Sequence, residues 1–302
     1  MDNNHPAGDE LNSIQLDRAL PSINRLKGNI VVIKYGGNAM IRDDLKESVA
    51  TDISAIKSLG MFPVVVHGGG PAIKKLLEKV GKTTEFIGGL RKTDEETMSY
   101  VEMALSGQVN SDIVKNINAK GGKAVGLSGK DGAMVIASKQ KHKVREGNEV
   151  KEVDLGQVGS IKKVNTDLIH SLINNDYVPV IAPIGAGEDM LDYNINADTF
   201  AGHIAAALSS RELYLLTDVD GLLENVDDPS SIIKKLTISE AQSHMGGIIQ
   251  GGMIPKVDSC LYALNHGVQN ATMLNGTKKH ILIHNLYNNY DHCTTITAKN
   301  HD

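Results

Sequence analysis

The sequence predicts an α/β fold built on a largely parallel sheet covered by helices on both faces. Three observations lead there. Short β-branched runs end in glycine-rich turns and are followed by helical patterns, as in "NIVVIKYGG", "MFPVVVHGGG" and "ELYLLTDVDG"; strands alternating with helices favour parallel sheets. At 302 residues, 41% of them hydrophobic, the chain can bury a sizeable core in one large domain or two lobes. Only 4% of residues are aromatic and none is Trp, so that core is aliphatic.

The first ten residues, "MDNNHPAGDE", read as a disordered lead without an apolar signal region. Leu11, Ile14, Leu20, Ile23 and Leu26 then recur at roughly helical spacing, with Asn12 and Ser13 as candidate caps. Pro21 is expected to break or kink this helix. Its stripe either packs on its own domain or lies on a neighbouring subunit. A helix over 43–59 follows the first strand, and "PAIKKLLEKVG" is the helix after the second. "KAVGLSGKDG" and "YVPVIAPIGAG" repeat the scheme, while "VQNATMLNG" and "HILIHNL" are further strand candidates. Residues 133–164 alternate apolar and polar positions about a charged turn at 145–148, as a β-hairpin insertion does. No chemistry is legible in that insertion.

The formal net charge of −5 gives no global attraction to nucleic-acid backbones or anionic membranes. Rows of stacking aromatics are lacking, and no apolar run reaches membrane-spanning length. The two cysteines, Cys260 and Cys293, form no disulfide framework. The expectation is a cytoplasmic protein without nucleic-acid or membrane partners. Zinc is disfavoured: His280, His284, His292 and Cys293 cluster, but a strand over "HILIHNLY" sets the first pair too far apart for tight ligation. Cys260 reads as a core residue rather than a nucleophile.

Ligands of open α/β sheets bind beyond the carboxyl ends of the strands, where these glycine clusters fall. In "VVVHGGGPAIKKL" three glycines allow close backbone approach, and Pro71 suits a first helical turn. The free N–H groups of such a turn favour an anion. Neither G-x-G-x-x-G after a strand nor G-x-x-x-x-G-K-[ST] occurs, which argues against dinucleotide dehydrogenases and P-loop ATPases. Lysines beside glycine turns, Arg91 and the cluster "NINADTFAG" remain, without a Ser-His or Cys-His pair. Opposed cations with polar orienters suit charge stabilisation better than covalent catalysis.

"KYGGNAM", "VVHGGGP", "GLRKTDEETM", "NINADTFAG", "TDVDGLL" and "GGMIPKV", in that order, closely resemble the amino-acid kinase superfamily, from about residue 29 to 276. Within it they look like the branch that phosphorylates the side-chain carboxylate of N-acetyl-L-glutamate, the second step of arginine biosynthesis. The resemblance implies a three-layer αβα sandwich, with an N-terminal helix at 1–27, an acyl-amino-acid lobe at 28–192 and an ATP lobe at 193–302. It implies ATP with Mg²⁺, the ion held mainly by ATP oxygens, and a homo-oligomer, either a dimer or a hexamer through the N-terminal helix. By carry-over, Lys34 and Lys256 are the transition-state lysines and Asp198 holds them both. Gly36 and Gly37 present N–H groups to the phosphates. Gly69, Gly70, Arg91 and Asn194 hold the acyl amino acid. Asp218, Val219, Asp220, Gly221, Leu222 and Leu223, with Ile248, Ile249 and Gln250, line the adenosine pocket. Related substrates such as N-acetyl-aminoadipate, one methylene longer, and a catalytically silent amino-acid sensor are the alternatives.

Arginine-inhibited relatives tend to end in a segment like "H-x-x-L-L-E-L-F-T-D-x-G-I-G-T-M-I". Here "HILIHNLYNNYDHCTTI" puts Asn285 at the acidic position and Asp291 and Cys293 at the glycines. Weak or absent arginine inhibition is the expectation.

Overall fold

The computed structural model describes residues 7–146, 149–225, 227–287 and 293–298, the side chains of 7–16, 143–150 and 229 excepted. Helix α1 (Ala7–Leu26) leads into strand β1 (Ile30–Tyr35), α2 (Asp43–Ser58), β2 (Phe62–His67) and α3 (Gly70–Lys79). A small hairpin, β3 (Phe86–Ile87) and β4 (Leu90–Arg91), precedes α4 (Glu95–Glu102) and α5 (Asn110–Ala119), which are joined by a wide π-helical stretch at Met103–Val109. Strands β5 (Ala124–Ser128), β6 (Val135–Lys139), β7 (His142–Glu146), β8 (Glu149–Val153) and β9 (Gly159–Val164) lead to α6 (Asp167–Asn174). Next come β10 (Val178–Ala182), β11 (Ile184–Gly187), β12 (Asp192–Asn194), α7 (Ala197–Ala207) and β13 (Glu212–Thr217). The chain closes with β14 (Lys235–Thr237), α8 (Ile238–Ser243), α9 (Ile254–Asn265), β15 (Asn270–Asn275), α10 (Ile281–Leu286) and β16 (Cys293–Thr297).

The central sheet has eight strands in the order β14-β16-β15-β13-β1-β2-β10-β5. Every pairing is parallel except β15 with β16. Successive strand residues face opposite sides, and this decides the layering. Val31, Ile33 and Tyr35 join a core with α2, α5 and α10, whereas Val32 joins the core made with α6, α7 and α9. The expected three-layer sandwich is what these two aliphatic cores build.

Several expectations need correction. Pro21 lies inside a continuous α1; it is exposed, while Ala19, Ser22 and Leu26 are buried and hold the helix on both sides of it. The helix begins before Asn12 and Ser13, so neither caps it. Leu20 is exposed and lies off the buried stripe, and for Leu11 and Ile14 only the backbone is described. The C-terminal turns of α1 therefore pack on their own subunit. "YVPVIAPIGAG" is two strands in different sheets: Pro183, which has no N–H to donate to a ladder, separates β10 from β11. The insertion is an antiparallel β6–β9 pair extended by β7–β8, with Gly147 and Asn148 of its turn outside the described residues. It also completes a second sheet, β12-β11-β6-β9.

"HILIHNL" is a helix rather than a strand. Buried Asp52 on α2 accepts from the Leu282 N–H at 3.2 Å and pairs with His280 Nδ1 at 2.8 Å, so its carboxylate stands at the N-terminus of α10. A carboxylate satisfying first-turn N–H groups favours a helix there. His292 lies outside the described residues, and no metal-binding group of three His, Cys, Asp or Glu occurs among the described ones.

Candidate active site

Parallel register brings the ends of three strands together. Lys34 stands beside Val66 of β2 and Leu215 of β13, so the turns after β1, β2 and β13 open on one edge. Such a crevice is where α/β sheets bind ligands.

Lys34, near the end of β1, is only 6% exposed. Its Nζ lies 2.9 Å from Asp198 Oδ1, and Lys256 Nζ donates to Asp198 Oδ2 at 2.8 Å. Asp198 is free for this role because Asn196 is the N-cap of α7, its Oδ1 accepting from the N–H groups of Asp198 and Thr199. Lys256 comes from the first turn of α9, started by Pro255. Helices α7 and α9 cross closely at Gly202, where a Cβ would lie 2.7 Å from Ser259 Oγ. The Ser259 hydroxyl also donates to the Asp198 carbonyl. Burial by itself would raise the Asp198 pKa, but Lys34 and Lys256 outweigh it and hold the carboxyl down at about 2. One buried carboxylate thus keeps two cations side by side.

The same cleft, about 310 Å³, is lined by Lys34, Asp198, Gly36 and Gly37 at one end. Gly37 has φ +67° and opens a short 3₁₀ turn to Met40. Asp218 accepts from the Asn38 N–H at 2.7 Å, and a Cβ on Gly37 would lie 2.4 Å from Asp218 Oδ1. Asp218 therefore clasps the glycine turn from the β13 side.

Gly69, Gly70, Arg91 and Asn194 line the other end. A Cβ on Gly69 would lie 2.3 Å from Leu105 Cδ2, in the π-helical stretch, while Gly70 has open space before it. Arg91 is 7% exposed; it donates to Thr84 Oγ1 at 2.7 Å and its Cζ lies 4.5 Å from the centre of the Phe86 ring. Among the described residues no carboxylate pairs with it, neither Asp94, which caps α4, nor Glu95. Burial pulls its pKa down. A buried, uncompensated guanidinium is costly unless an anion joins it. The Asn194 amide sits 3.4 Å from Thr93 Oγ1.

The expected adenosine residues divide. Val219 is exposed, Asp220 accepts from the Asn275 amide, and Gly221, at φ +140°, packs on Thr294. Leu223 and Ile248 are half-buried and Gln250 is exposed. Leu222 and Ile249 turn their side chains into the core beside α9, so only their backbone is left to meet a nucleotide. None of these residues lines the cleft that holds Arg91 and Asp198.

Sequence reasoning missed Asn196, although Asn before an Ala-Asp-Thr helix start is a capping signal. It missed Phe86, Ser259 and His67 for want of any local pattern. His67 is fully buried, and burial pushes its pKa from 6.5 down to about 4. The unfolded chain takes up this proton near pH 6.5 and the folded chain only near 4. Stability carried by the neutral ring is therefore complete above the first value and lost on acidification towards the second, by about 3 kcal/mol. Urea midpoints between pH 7 and 4 should fall by correspondingly more in the parent than in His67→Asn.

Residues 29–275 match the amino acid kinase family, and the chain belongs to it. Among curated proteins it is 50% identical to the acetylglutamate kinase of Methanocaldococcus jannaschii, over 93% of this chain and 95% of that one. It is 49% identical to the acetylglutamate kinase of Pelotomaculum thermopropionicum, over 89% of this chain and 92% of that one. An N-acetylglutamate synthase from Neisseria gonorrhoeae, complexed with coenzyme A and N-acetyl-glutamate, superposes with a TM-score of 0.80 at 23% identity, over 96% of this chain and 64% of that one. Carbamate kinase from Giardia lamblia bound to AMP-PNP gives 0.64 at 16%, over 89% and 98%. At such identities the likeness of the two structures speaks for the fold.

Proposed function

We propose that the chain transfers the γ-phosphoryl group of ATP to the side-chain carboxylate of N-acetyl-L-glutamate. A carboxylate oxygen forms the new P–O bond, the bond from the γ-phosphorus to the bridging oxygen breaks, and ADP leaves with that electron pair. No proton moves, so no general base is required. The barrier lies in bringing anions together and in the charge spread over the phosphoryl group, which positioned cations lower.

The observation that carries this reading is one cleft with Lys34 and Asp198, the carboxylate that Lys256 also holds, at one end and Arg91, without a carboxylate partner, at the other. Arg91 suits the α-carboxylate of the acyl amino acid and Asn194 its acetamido group, with the reacting carboxylate pointing at Lys34. Gly69 and Gly70 add N–H donors. The glycine turn at Gly36–Gly37 and the Asp218–Leu223 turn would face the nucleotide. In this reading residues 28–192 form the acyl-amino-acid lobe, 193–302 the ATP lobe, and the protein works in the cytoplasm as a homo-oligomer. Mg²⁺ fits as an ion carried by the nucleotide: both Asp198 oxygens are engaged by lysines, leaving its ligands to phosphate oxygens and water. When bound, the ion neutralises charge on the β- and γ-phosphates.

The test is ATP-dependent acyl-phosphate formation, trapped as the hydroxamate, with N-acetylglutamate, glutamate and N-acetyl-aminoadipate side by side. Turnover confined to N-acetylglutamate supports the reading. Preference for another acid moves the substrate, and ATP binding without turnover favours a sensor.

Weak arginine inhibition belongs to the same proposal. Asn285 lies on α10 and faces a cavity with Arg25, Lys234 and Lys235. The carboxylate there, Glu212, is already taken by Arg25 and Asn270. A second guanidinium finds a basic wall. Asp291 lies outside the described residues. Titration with arginine should leave the rate nearly unchanged; half-inhibition at cellular concentrations contradicts this.

A further inference from the structure

His67 closes β2 immediately before the Gly68–Gly70 turn. Its Nδ1 lies 2.7 Å from the Gly68 carbonyl oxygen. A carbonyl only accepts, so Nδ1 carries the hydrogen and donates. Nε2 is then the bare nitrogen, and it accepts from Asn110 Nδ2 at 3.1 Å. Asn110 is 4% exposed, at the start of α5 where the π-helical stretch ends. Its two amide hydrogens are shared among His67 Nε2, the Val180 carbonyl at 2.9 Å and the Leu127 carbonyl at 3.2 Å, one of them bifurcated. One side chain thus joins three neighbouring strands, β2, β10 and β5, and fixes the tautomer of the histidine.

The consequence follows from peptide planarity. In a trans peptide the C=O and the N–H point in opposite directions. The Gly68 N–H is already bonded to the Tyr35 carbonyl at 2.8 Å. With the Gly68 C=O held by His67, the Gly69 N–H of the same peptide plane is turned the other way. Gly68, Gly69 and Gly70 all line the cleft. Among the described residues no protein acceptor takes the Gly69 or Gly70 N–H.

We infer that His67 and Asn110 are positioning residues that aim the Gly69 N–H at the acyl amino acid, acting through the Gly68 carbonyl without touching substrate. Burial keeps the ring neutral at working pH, so both of its hydrogen bonds keep one direction. The inference rests on the proposed acyl-amino-acid site, and it deepens that reading by naming what presets one of its donors.

The test compares the KM for N-acetylglutamate and for ATP in the parent, His67→Asn and His67→Gln. Asparagine keeps an N–H near the Nδ1 position and loses the link to Asn110. Glutamine carries its amide one bond further out and loses the donor to Gly68. A misaimed donor to a carboxylate raises KM roughly tenfold to a hundredfold. The expected result is that His67→Gln raises the KM for N-acetylglutamate about tenfold more than His67→Asn does, with the KM for ATP unchanged in both. Equal effects of the two substitutions, or parallel rises in both KM values, reduce His67 to a packing residue and overturn the inference. A parent without turnover on N-acetylglutamate overturns the substrate reading and the inference with it. If His67→Gln does not fold, Asn110→Ala removes the other contact that holds the ring, the one to Nε2. A selective rise in KM for N-acetylglutamate supports the inference there, and unchanged KM values overturn it.

Discussion

Alanine at Lys34 or at Lys256 lowers the rate of phosphoryl transfer roughly a hundredfold to a thousandfold, the loss typical of removing one preorganised charge donor. Both ammonium groups lean on the same carboxylate, at 2.9 and 2.8 Å, and so face a single point in space. Their attraction for a bound ground state is modest beside that for the charge that spreads over a phosphoryl group in flight. The loss therefore falls on single-turnover rate, with the affinity for ADP little changed. The double substitution costs far less than the product of the single ones, because either lysine alone leaves the charge cluster broken. Rapid-quench measurement of acyl phosphate on the three variants checks both the size and the non-additivity. Independent, multiplicative losses contradict a shared site.

Asparagine at Asp198 damages stability as well as rate. The side chain is nearly isosteric, so packing beside Cys260 and Ser259 survives, but the negative charge between two cations is gone. The Lys34 and Lys256 side chains are 8% and 19% exposed, and water cannot replace the carboxylate. Breaking a buried ion pair by removing one partner costs about 3–5 kcal/mol. Urea unfolding at neutral pH should show that loss, with turnover reduced along with it. Acidification distinguishes charge from packing. The carboxyl is held at about 2 against 3.8 ordinarily, so its contribution is full above the higher value and lost as pH falls through the lower. The difference between parent and Asp198→Asn should shrink over that window; a difference independent of pH points to packing.

Fold class was legible because strands such as β1, β2 and β15 run directly into glycine at the sheet's carboxyl edge. The same rule failed at α10, where "HILIHNL" has too few residues to separate strand from helix by periodicity. Its helical state depends on Asp52, 228 residues away from His280 in sequence. Pro183 was visible but under-read: a proline between two apolar runs separates strands that belong to different sheets. Pro21 was over-read, since an exposed proline in a helix pinned by buried neighbours does not end it.

The cleft residues were reached through the order of glycine motifs, not through any one of them. Lys34 and Gly69 meet in one cleft because the parallel strands β1 and β2 end together, while Arg91 arrives from the β3–β4 hairpin, Asn194 from β12 and Asp198 from α7. Leu222 and Ile249 show the limit of that route. A motif marks a stretch of chain, while the burial of each side chain is decided by helices packed against it, here α9. His67 and Asn110 show the converse. A histidine ending a strand and an asparagine opening a helix 43 residues later carry no joint signal until the sheet brings them together.

Above all, Lys34 and Lys256 are expected to stabilise one transferring phosphoryl group. Calorimetric titration with ADP, aluminium fluoride and N-acetylglutamate measures that stabilisation directly, since planar aluminium fluoride stands in for that group. The three together should bind the parent far more tightly than ADP does alone, and Lys34→Ala and Lys256→Ala should each abolish the gain while still binding ADP. Retention of the full gain in either variant would contradict this.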